Sequence, residues 1–364
     1  MNTPVLTVSS SPHLHEKSST SSIMYQVSIA LLPALAWGIY AFGLRALLVV
    51  LVSIAASMLS EYLLGRFSDE FTLWDGSALL TGLLIGLNMS SSVPLFIPAV
   101  ASAFAIIVAK WTFGGLGANW ANPALAGRIF VFFSFTTPMS TFVAPRTLAR
   151  VMPDAIASAT PLGLVKTAVS GGSVGLDANA LLAQTGYPAT NLAQSIAAAT
   201  GFNAYTIDSF LGNVGGCIGE VSALALLIGG IYLLVRKIIT WHIPVVYMAS
   251  LSILSWLFGG LPSGLGLFGG SFFPPLFSGG LMLGAIFMAT DYVTSPITRK
   301  GQVIYAMGCG FFTFLFRYFS GMPEAVSVSI LLMNVITPTI DRFIEPRKFG
   351  DTREQRKLAK ERTV

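Results

Sequence analysis

Four carboxylates stand where this chain is otherwise apolar: Glu61, Glu220, Asp291 and Asp341 each lie within or against a run of hydrophobic residues. An ionised side chain at mid-bilayer costs at least ~2.5–3.5 kcal/mol, so such residues face a bundle interior or a water-filled cavity, where they can take part in an ion pathway. Near a helix end the cost falls, and Asp341 beside Arg342 is equally a solvated pair. A fifth candidate is an alcohol. Thr160 sits in Asp154-Ala-Ile-Ala-Ser158-Ala-Thr160-Pro-Leu162, within the one long polar loop. By residue type alone it is an ST-turn or the N-cap of a helix that begins with Pro161.

Other chemistries find no residues. Cys217 and Cys309 are far apart and form no CxxC or CxxxC pair, so the chain supplies neither a zinc finger nor an iron-sulfur ligand set. His13, His15 and His242 allow no HExxH or triad arrangement. Gly114-Gly-Leu-Gly117 follows a helix instead of a strand and lacks the second half of either nucleotide fingerprint.

The elements that must position these residues follow from composition. Of 364 residues, 54% are hydrophobic and 10% charged, against about 25% charged in soluble domains, so a water-exposed surface could not be covered. The chain is an integral membrane protein. Its net charge is +5, and the segment from Arg342 to Val364 alone holds eight basic against four acidic residues. The basic balance is therefore a tail property, a solvated helix or a contact with anionic membrane lipid, and gives no argument for nucleic acid. Residues 1–22 are polar and Ser-rich without the apolar core of a signal peptide.

A helix crossing about 30 Å of hydrocarbon needs about 20 apolar residues. Ten runs qualify, the third and eighth being short: 23–42, 45–64, 76–89, 92–109, 121–137, 219–236, 243–259, 276–291, 302–319 and 324–343. The expected fold is an all-α polytopic membrane protein with about ten transmembrane helices. Lys17, Arg66, Lys110, Arg128, Arg236, Lys237, Arg299, Lys300 and the tail then share one side, with Arg45 the exception, and the positive-inside rule makes that side, with both termini, cytoplasmic. The loop carrying Thr160 is outside by parity.

Ser77 to Pro94 aligns without gaps on Gly279 to Pro296, so that Leu79, Gly82 and Pro94 meet Leu281, Gly284 and Pro296. Paired short segments ending in a Ser/Thr-rich breaker are expected where two inverted repeats bring broken helices together near the midplane. Two ordinary Gly-containing helices would also give this pattern. The expected organisation is residues 1–22 as an N-terminal segment, 23–137 as the first five-helix repeat, 138–218 as the extracytoplasmic loop, 219–344 as the second repeat and 345–364 as a basic tail. Asn122-Pro123, and Asn334 with Pro338, either shape kinked helices or line a further site.

The spacing Asp-x-x-x-Ser-Ala-Thr-x-Leu, with Ser11-Pro-His13, Ile23-Met24, Gly114-Gly-Leu-Gly117, Asn122-Pro-Ala-Leu-Ala-Gly-Arg128, Gly219-Glu-Val-Ser222 and Ala289-Thr-Asp-Tyr-Val-Thr-Ser-Pro296, resembles one family over nearly the whole chain. It is the family of the D subunit of the Rnf complex (RnfD) and the B subunit of the sodium-pumping NADH:quinone oxidoreductase (NqrB). The short segment ahead of the first helix favours the Rnf side over the quinone-reducing relative; a passive channel or transporter on the same plan would need no flavin. The resemblance implies a bacterial inner-membrane subunit that carries electrons between ferredoxin and NAD and couples them to Na+ or H+ translocation. It implies FMN joined through its phosphate to Thr160 by a flavin transferase that reads Asp154 and Ser158. Ala155 departs from the family, where glycine is common at that position. The resemblance further implies a second, noncovalent flavin (riboflavin or FMN), and cation handling by acids at the Glu61 and Asp341 positions. Implied partners are the covalent-FMN G subunit, the A and E membrane subunits and the B and C peripheral subunits of an Rnf complex.

Overall fold

The computed structural model describes residues 19–68, 72–148, 160–171, 175–176, 178–320 and 325–346. Asp154 and Ser158, His13 and His15, and the tail from residue 347 lie outside them. Among the described residues every regular element is helical. Each of the ten apolar runs meets helical structure, and four helices are long and apolar enough to cross a membrane: Thr20–Phe42, Leu44–Ser68, Phe96–Phe113 and Val326–Phe343.

We number the helices α1 (Thr20–Phe42), α2 (Leu44–Ser68), α3 (Ser77–Leu87), α4 (Phe96–Phe104), α5 (Pro123–Ser134) and α6 (Thr136–Ser140). The polar loop contributes α7 (Pro161–Ser170), α8 (Ala178–Gln184), α9 (Asn191–Thr200) and α10 (Ala204–Leu211). The second half holds α11 (Ala223–Val235), α12 (His242–Phe258), α13 (Pro274–Phe277), α14 (Leu281–Leu283), α15 (Arg299–Phe319) and α16 (Val326–Phe343). Helix α4 runs on through a π-helical stretch, Ala105–Lys110, and a 3-10 turn, Trp111–Phe113; α14 runs on through a π-helical stretch, Gly284–Met288.

Burial sorts these helices by their neighbours. Helices α1 and α2 leave large apolar side chains such as Ile29, Leu32, Leu48 and Leu59 exposed, as a lipid-facing surface requires. Helix α3 is apolar all round and buries nine of its eleven residues, which marks it as interior. Its small residues let α2 approach closely. Ser53 Oγ donates to Gly82 O and Ser57 Oγ to Ala78 O, each at 2.8 Å, and a Cβ on Gly82 would collide with Ser57 and Ile54. Such small-residue seams let dispersion and hydrogen bonds hold helices together where lipid offers no hydrophobic drive.

Interior helix α3 ends at Leu87, and the π-helical continuation of α14 ends at Met288. Asn88 at the end of α3 sends Nδ2 to Leu84 O at 2.8 Å and to Met288 Sδ at 3.7 Å. Freed backbone groups must be satisfied inside the membrane. Ile218 N donates to Met89 O at 2.9 Å, Gly219 N to Leu87 O at 2.8 Å and Asn122 Nδ2 to Met288 O at 3.2 Å.

Side-chain links sort the helix ends onto two faces. Arg236 meets Gln26, Thr240 meets Gln302 and Asp341 meets Ile297 on what we call the terminal face. Trp37 donates to Gly212 O and Lys166 to Arg317 O on the loop face. The loop is more helical than its polarity suggested. Asp208, 2% exposed, ties it together by accepting from Thr190 N at 2.8 Å, Thr190 Oγ1 at 2.6 Å and Asn213 Nδ2 at 3.3 Å.

Two basic residues counted toward sidedness prove to be interior: Lys110 is 1% exposed, and Arg128 lies mid-helix in α5 at 4%. Arg45, the exception, spends its guanidinium on Ser91 O and Val93 O on the loop face.

Candidate functional site

Thr160 is the N-cap of α7. Its backbone is extended, Pro161 follows at the first helical position, and its Oγ1 accepts from Gly163 N at 3.1 Å. The side chain is half-buried at a small recess, about 20 Å³, shared with Ser209, Glu220 and Gly279. Pro161, Leu162, Ser209 and Ser278 line both this recess and a larger cavity of about 380 Å³, within the roughly 300–1,000 Å³ usual for small-molecule sites. Leu162 and Val165 of α7, Tyr205 of α10, and Arg317 and Tyr318 of α15 wall the cavity, with Lys166 beside them. Its chemistry is therefore apolar and aromatic with two cations. Burial pushes the Lys166 amine below its usual range and the Tyr205 phenol above its own. Arg317 donates from Nη1 to Pro275 O and from Nη2 to Ser278 O, both at 2.8 Å, which fixes its guanidinium against the loop face.

The four acids are not gathered in one place. Glu61, with its side chain 0% exposed, accepts from Lys110 Nζ at 2.6 Å, from Trp111 Nε1 at 3.0 Å and from the Thr72 hydroxyl. Lys110 also donates to Ser77 Oγ at 2.8 Å. The π-helical stretch and the 3-10 turn after it carry Lys110 and Trp111 to this acid, a local distortion of the kind common at functional sites. A cation arriving at Glu61 would have to displace an ammonium already seated there.

Glu220 lies in the turn ahead of α11, buried beneath Gly280. Arg128 Nη2 stands 3.4 Å from its Oε1, and the same guanidinium reaches Ser327 and, at 3.7 Å, Cys217 Sγ.

Asp291 follows the broken α14 and accepts from Thr294 Oγ1 at 3.1 Å. It lines a cavity of about 90 Å³ with Lys110, Asn119, Asn122 and Pro123, so the Glu61 cluster and Asp291 open onto one space. Asp341, in the last turn of α16, accepts from Ile297 N at 3.3 Å and is partly exposed. Asn122 caps α5 through its Oδ1 and Ala124 N at 3.0 Å, while Asn334 bonds the Tyr305 hydroxyl at 2.7 Å, so both have structural duties.

Sequence reasoning weighed the acids and passed over the buried cations, Lys110, Arg128 and Arg317. The signal for two of them was present: Arg128 and Arg317 each interrupt an apolar helical run, in Ala-Gly-Arg128-Ile-Phe and Phe-Leu-Phe-Arg317-Tyr-Phe.

Residues 7–350 match the model of the NQR2, RnfD, RnfE family. The D subunit of the Na(+)-translocating ferredoxin:NAD(+) oxidoreductase complex of Acetobacterium woodii is 44% identical over 357 residues, 97% of this chain and 98% of that protein. The D subunit of the proton-translocating ferredoxin:NAD(+) oxidoreductase complex of Clostridium ljungdahlii is 41% identical over 350 residues, covering 96% and 97%. The D subunit of the ion-translocating oxidoreductase complex of Stutzerimonas stutzeri is 38% identical over 340 residues, covering 92% and 93%.

Proposed function

Since the chain belongs to the NQR2, RnfD, RnfE family, we propose that it works as the D subunit does in its relatives, within an Rnf-type complex. It is a multi-pass membrane subunit of an ion-translocating ferredoxin:NAD oxidoreductase, and it assembles with other Rnf subunits. We place it in the bacterial inner membrane with the terminal face cytoplasmic.

Ten spans in two inverted repeats belong to this reading. Helix α2 packs on α4 as α12 packs on α15, α4 on α5 as α15 on α16, and the two leading helices α1 and α11 pack on each other. That matched pairing supports the repeat, as does the meeting of α3 with Met288.

The electron carrier is FMN esterified to the Thr160 hydroxyl by a flavin transferase, with Asp154 and Ser158 part of the attachment motif. The observation that supports it is the threonine's position: a half-buried alcohol at a helix N-terminus, adjoining an aromatic, cation-lined cavity of about 380 Å³. A phosphoester there lies where backbone N–H groups and the helix dipole favour an anion. Leu162, Val165, Tyr205 and Tyr318 would wall the ring, and Arg317 with Lys166 would favour added negative charge. The bound group supplies reversible electron transfer; the chain supplies position and field.

A second, noncovalent flavin beside Asn122 and Pro123 does not fit the cavity as it stands, because about 90 Å³ falls well short of a flavin-sized site. Of the acids, Asp291 and Asp341 keep the access an ion pathway needs on the terminal face, whereas Glu61 and Glu220 are paired with Lys110 and Arg128. The test of the flavin is a denaturing gel of the complex under ultraviolet light. A fluorescent band at this subunit's mass that vanishes in Thr160→Val supports the reading; a dark parent band overturns it.

A further inference from the structure

Between α12 and α13 lies a non-helical segment, residues 259–273. Helix α12 begins on the terminal face, where Thr240 meets Gln302, so the segment emerges on the loop face. There Ser263 O accepts from Gly175 N of the polar loop at 2.7 Å. The two loops differ in charge. From Ile243 to Thr290 no Asp, Glu, Lys or Arg occurs, whereas the polar loop holds Arg146, Arg150, Asp154, Lys166, Asp177 and Asp208. A loop bathed in water has no need to exclude charge; one at membrane depth does.

Two helices give that depth. The 17 residues of α12 rise about 25 Å at about 1.5 Å each, short of the about 30 Å of hydrocarbon to be crossed. Trp241, exposed at its start, is of the type that settles at an interface, which leaves about 5 Å uncovered at the far end. In α15, the rise from Gly301, just past the charged Arg299 and Lys300, to Tyr318 is about 26 Å. A Cβ on Gly259 would lie 3.1 Å from that tyrosine ring. Both helices therefore start the segment inside the hydrocarbon.

Its side chains and backbone suit that place. Val245, Ile253 and Trp256 form one exposed, lipid-facing stripe along α12. The segment prolongs it: Leu261 is exposed, Leu267 and Phe268 are each 58% exposed, and the Phe268 ring stands 5.1 Å from that of Trp256. Leu265 N donates to Gly260 O and Phe268 N to Leu257 O, both at 2.9 Å, and Gly270 N to Trp256 O at 3.2 Å. The chain thus folds back on the end of α12 and meets its own donors, as non-helical backbone at membrane depth must. Phe268 has φ +63°, a left-handed conformation that large side chains rarely adopt and glycine takes freely. The strain holds an apolar ring outward, where water would give it no favourable contact.

We propose that residues 259–273 form a re-entrant cap whose partner is the lipid leaflet on the loop face, with Leu261, Leu267 and Phe268 seated where acyl chains meet headgroups. Immersion of about 5 Å matches the depth that interfacial apolar elements reach. The inner side of the cap, at Pro262, Leu265, Gly269 and Gly270, lines the 380 Å³ cavity. That wall is backed by lipid instead of water, whatever ligand the cavity takes, so the cap does not rest on the flavin reading.

The test is photocrosslinking in membranes of cells that make the whole complex. The photoreactive residue p-benzoylphenylalanine takes the place of Leu267 or, separately, of Leu261. Ile253 on α12 serves as the lipid-facing reference and Ser195, exposed on α9, as the water-facing one. After irradiation, mass spectrometry of the substituted peptide is expected to show phospholipid adducts at both cap positions, at half the Ile253 yield or more and at least fivefold above Ser195. Because both positions are exposed and independent, a chain that fails to accumulate with one leaves the other to decide. Lipid adducts no more frequent than at Ser195 overturn the cap, and so do adducts to another subunit in place of lipid.

Discussion

Replacing Lys110 with methionine keeps most of the side-chain volume and removes the charge that neutralises Glu61. The pair is 2.6 Å apart with side chains 2% and 0% exposed, so solvent cannot take over. Removing one member of a buried pair costs roughly 3–5 kcal/mol, because the other charge is left in a low-dielectric site. Glu61 would retain two neutral donors, Trp111 and Thr72, which puts Lys110→Met near the low end, about 3 kcal/mol. At about 2 °C per kcal/mol for a large domain, melting should fall by about 6 °C. The structure supplies its own reporter: Cys217 and Cys309 are buried thiols outside any disulfide, so a thiol-reactive fluorogenic dye added to the purified chain in detergent reads unfolding. Glu61→Gln with Lys110→Met removes both charges and should recover at least half of the loss. A Lys110→Met chain that melts with the parent, or a double variant no better than the single, would refute the paired-charge account.

Three further outcomes follow from named contacts. Thr160→Val removes the α7 N-cap bond to Gly163, costing about 1 kcal/mol, so the 160–171 segment should gain amide hydrogen exchange even in chain made without the transferase; Thr160→Ser should not. Burial pushes the Tyr187 phenol up to about 12 from 10.0. Between those values the unfolded chain is deprotonated and the folded one is not, so folding stability should fall as pH rises from 10 toward about 12. Tyr187→Phe should lack that slope while losing about 1–2 kcal/mol at neutral pH from the unmet Gly215 N–H; equal slopes in pH-resolved melting would contradict the assignment. Asp341, partly exposed on the terminal face, is the acid expected to matter for ion dependence: Asp341→Asn should lower cation-dependent coupling with flavin content intact, and unchanged coupling excludes it from the pathway.

What could be read from the sequence follows physical range. Ten apolar runs meet helices because hydrocarbon forces backbone hydrogen bonds to be made locally, and that demand is written in composition. Breaks at the ends of the third and eighth runs were visible for the same reason, in the Ser/Thr-rich stretches before Pro94 and Pro296. Pairings across the bundle were not. Nothing near Glu61 in sequence announces Lys110, 49 residues on, and Arg128, counted as a loop charge, lies inside α5 because Glu220 from the turn ahead of α11 and Ser327 of α16 receive it. Helices α9 and α10 lie in the polar loop, where Thr190 and Asn203 cap their starts and Asp208 ties one to the other through Thr190, a link that only the fold reveals. Thr160 behaves as its local signal predicts, as an N-cap. Its assignment to a flavin came from resemblance, and the cavity next to it came only with the fold.

The mass of the proteolytic peptide containing Thr160, taken from the native complex, tests the central claim most directly. The account predicts an increment equal to FMN less one water, localised to Thr160 by fragmentation. An unmodified peptide from cells that make the transferase would contradict it.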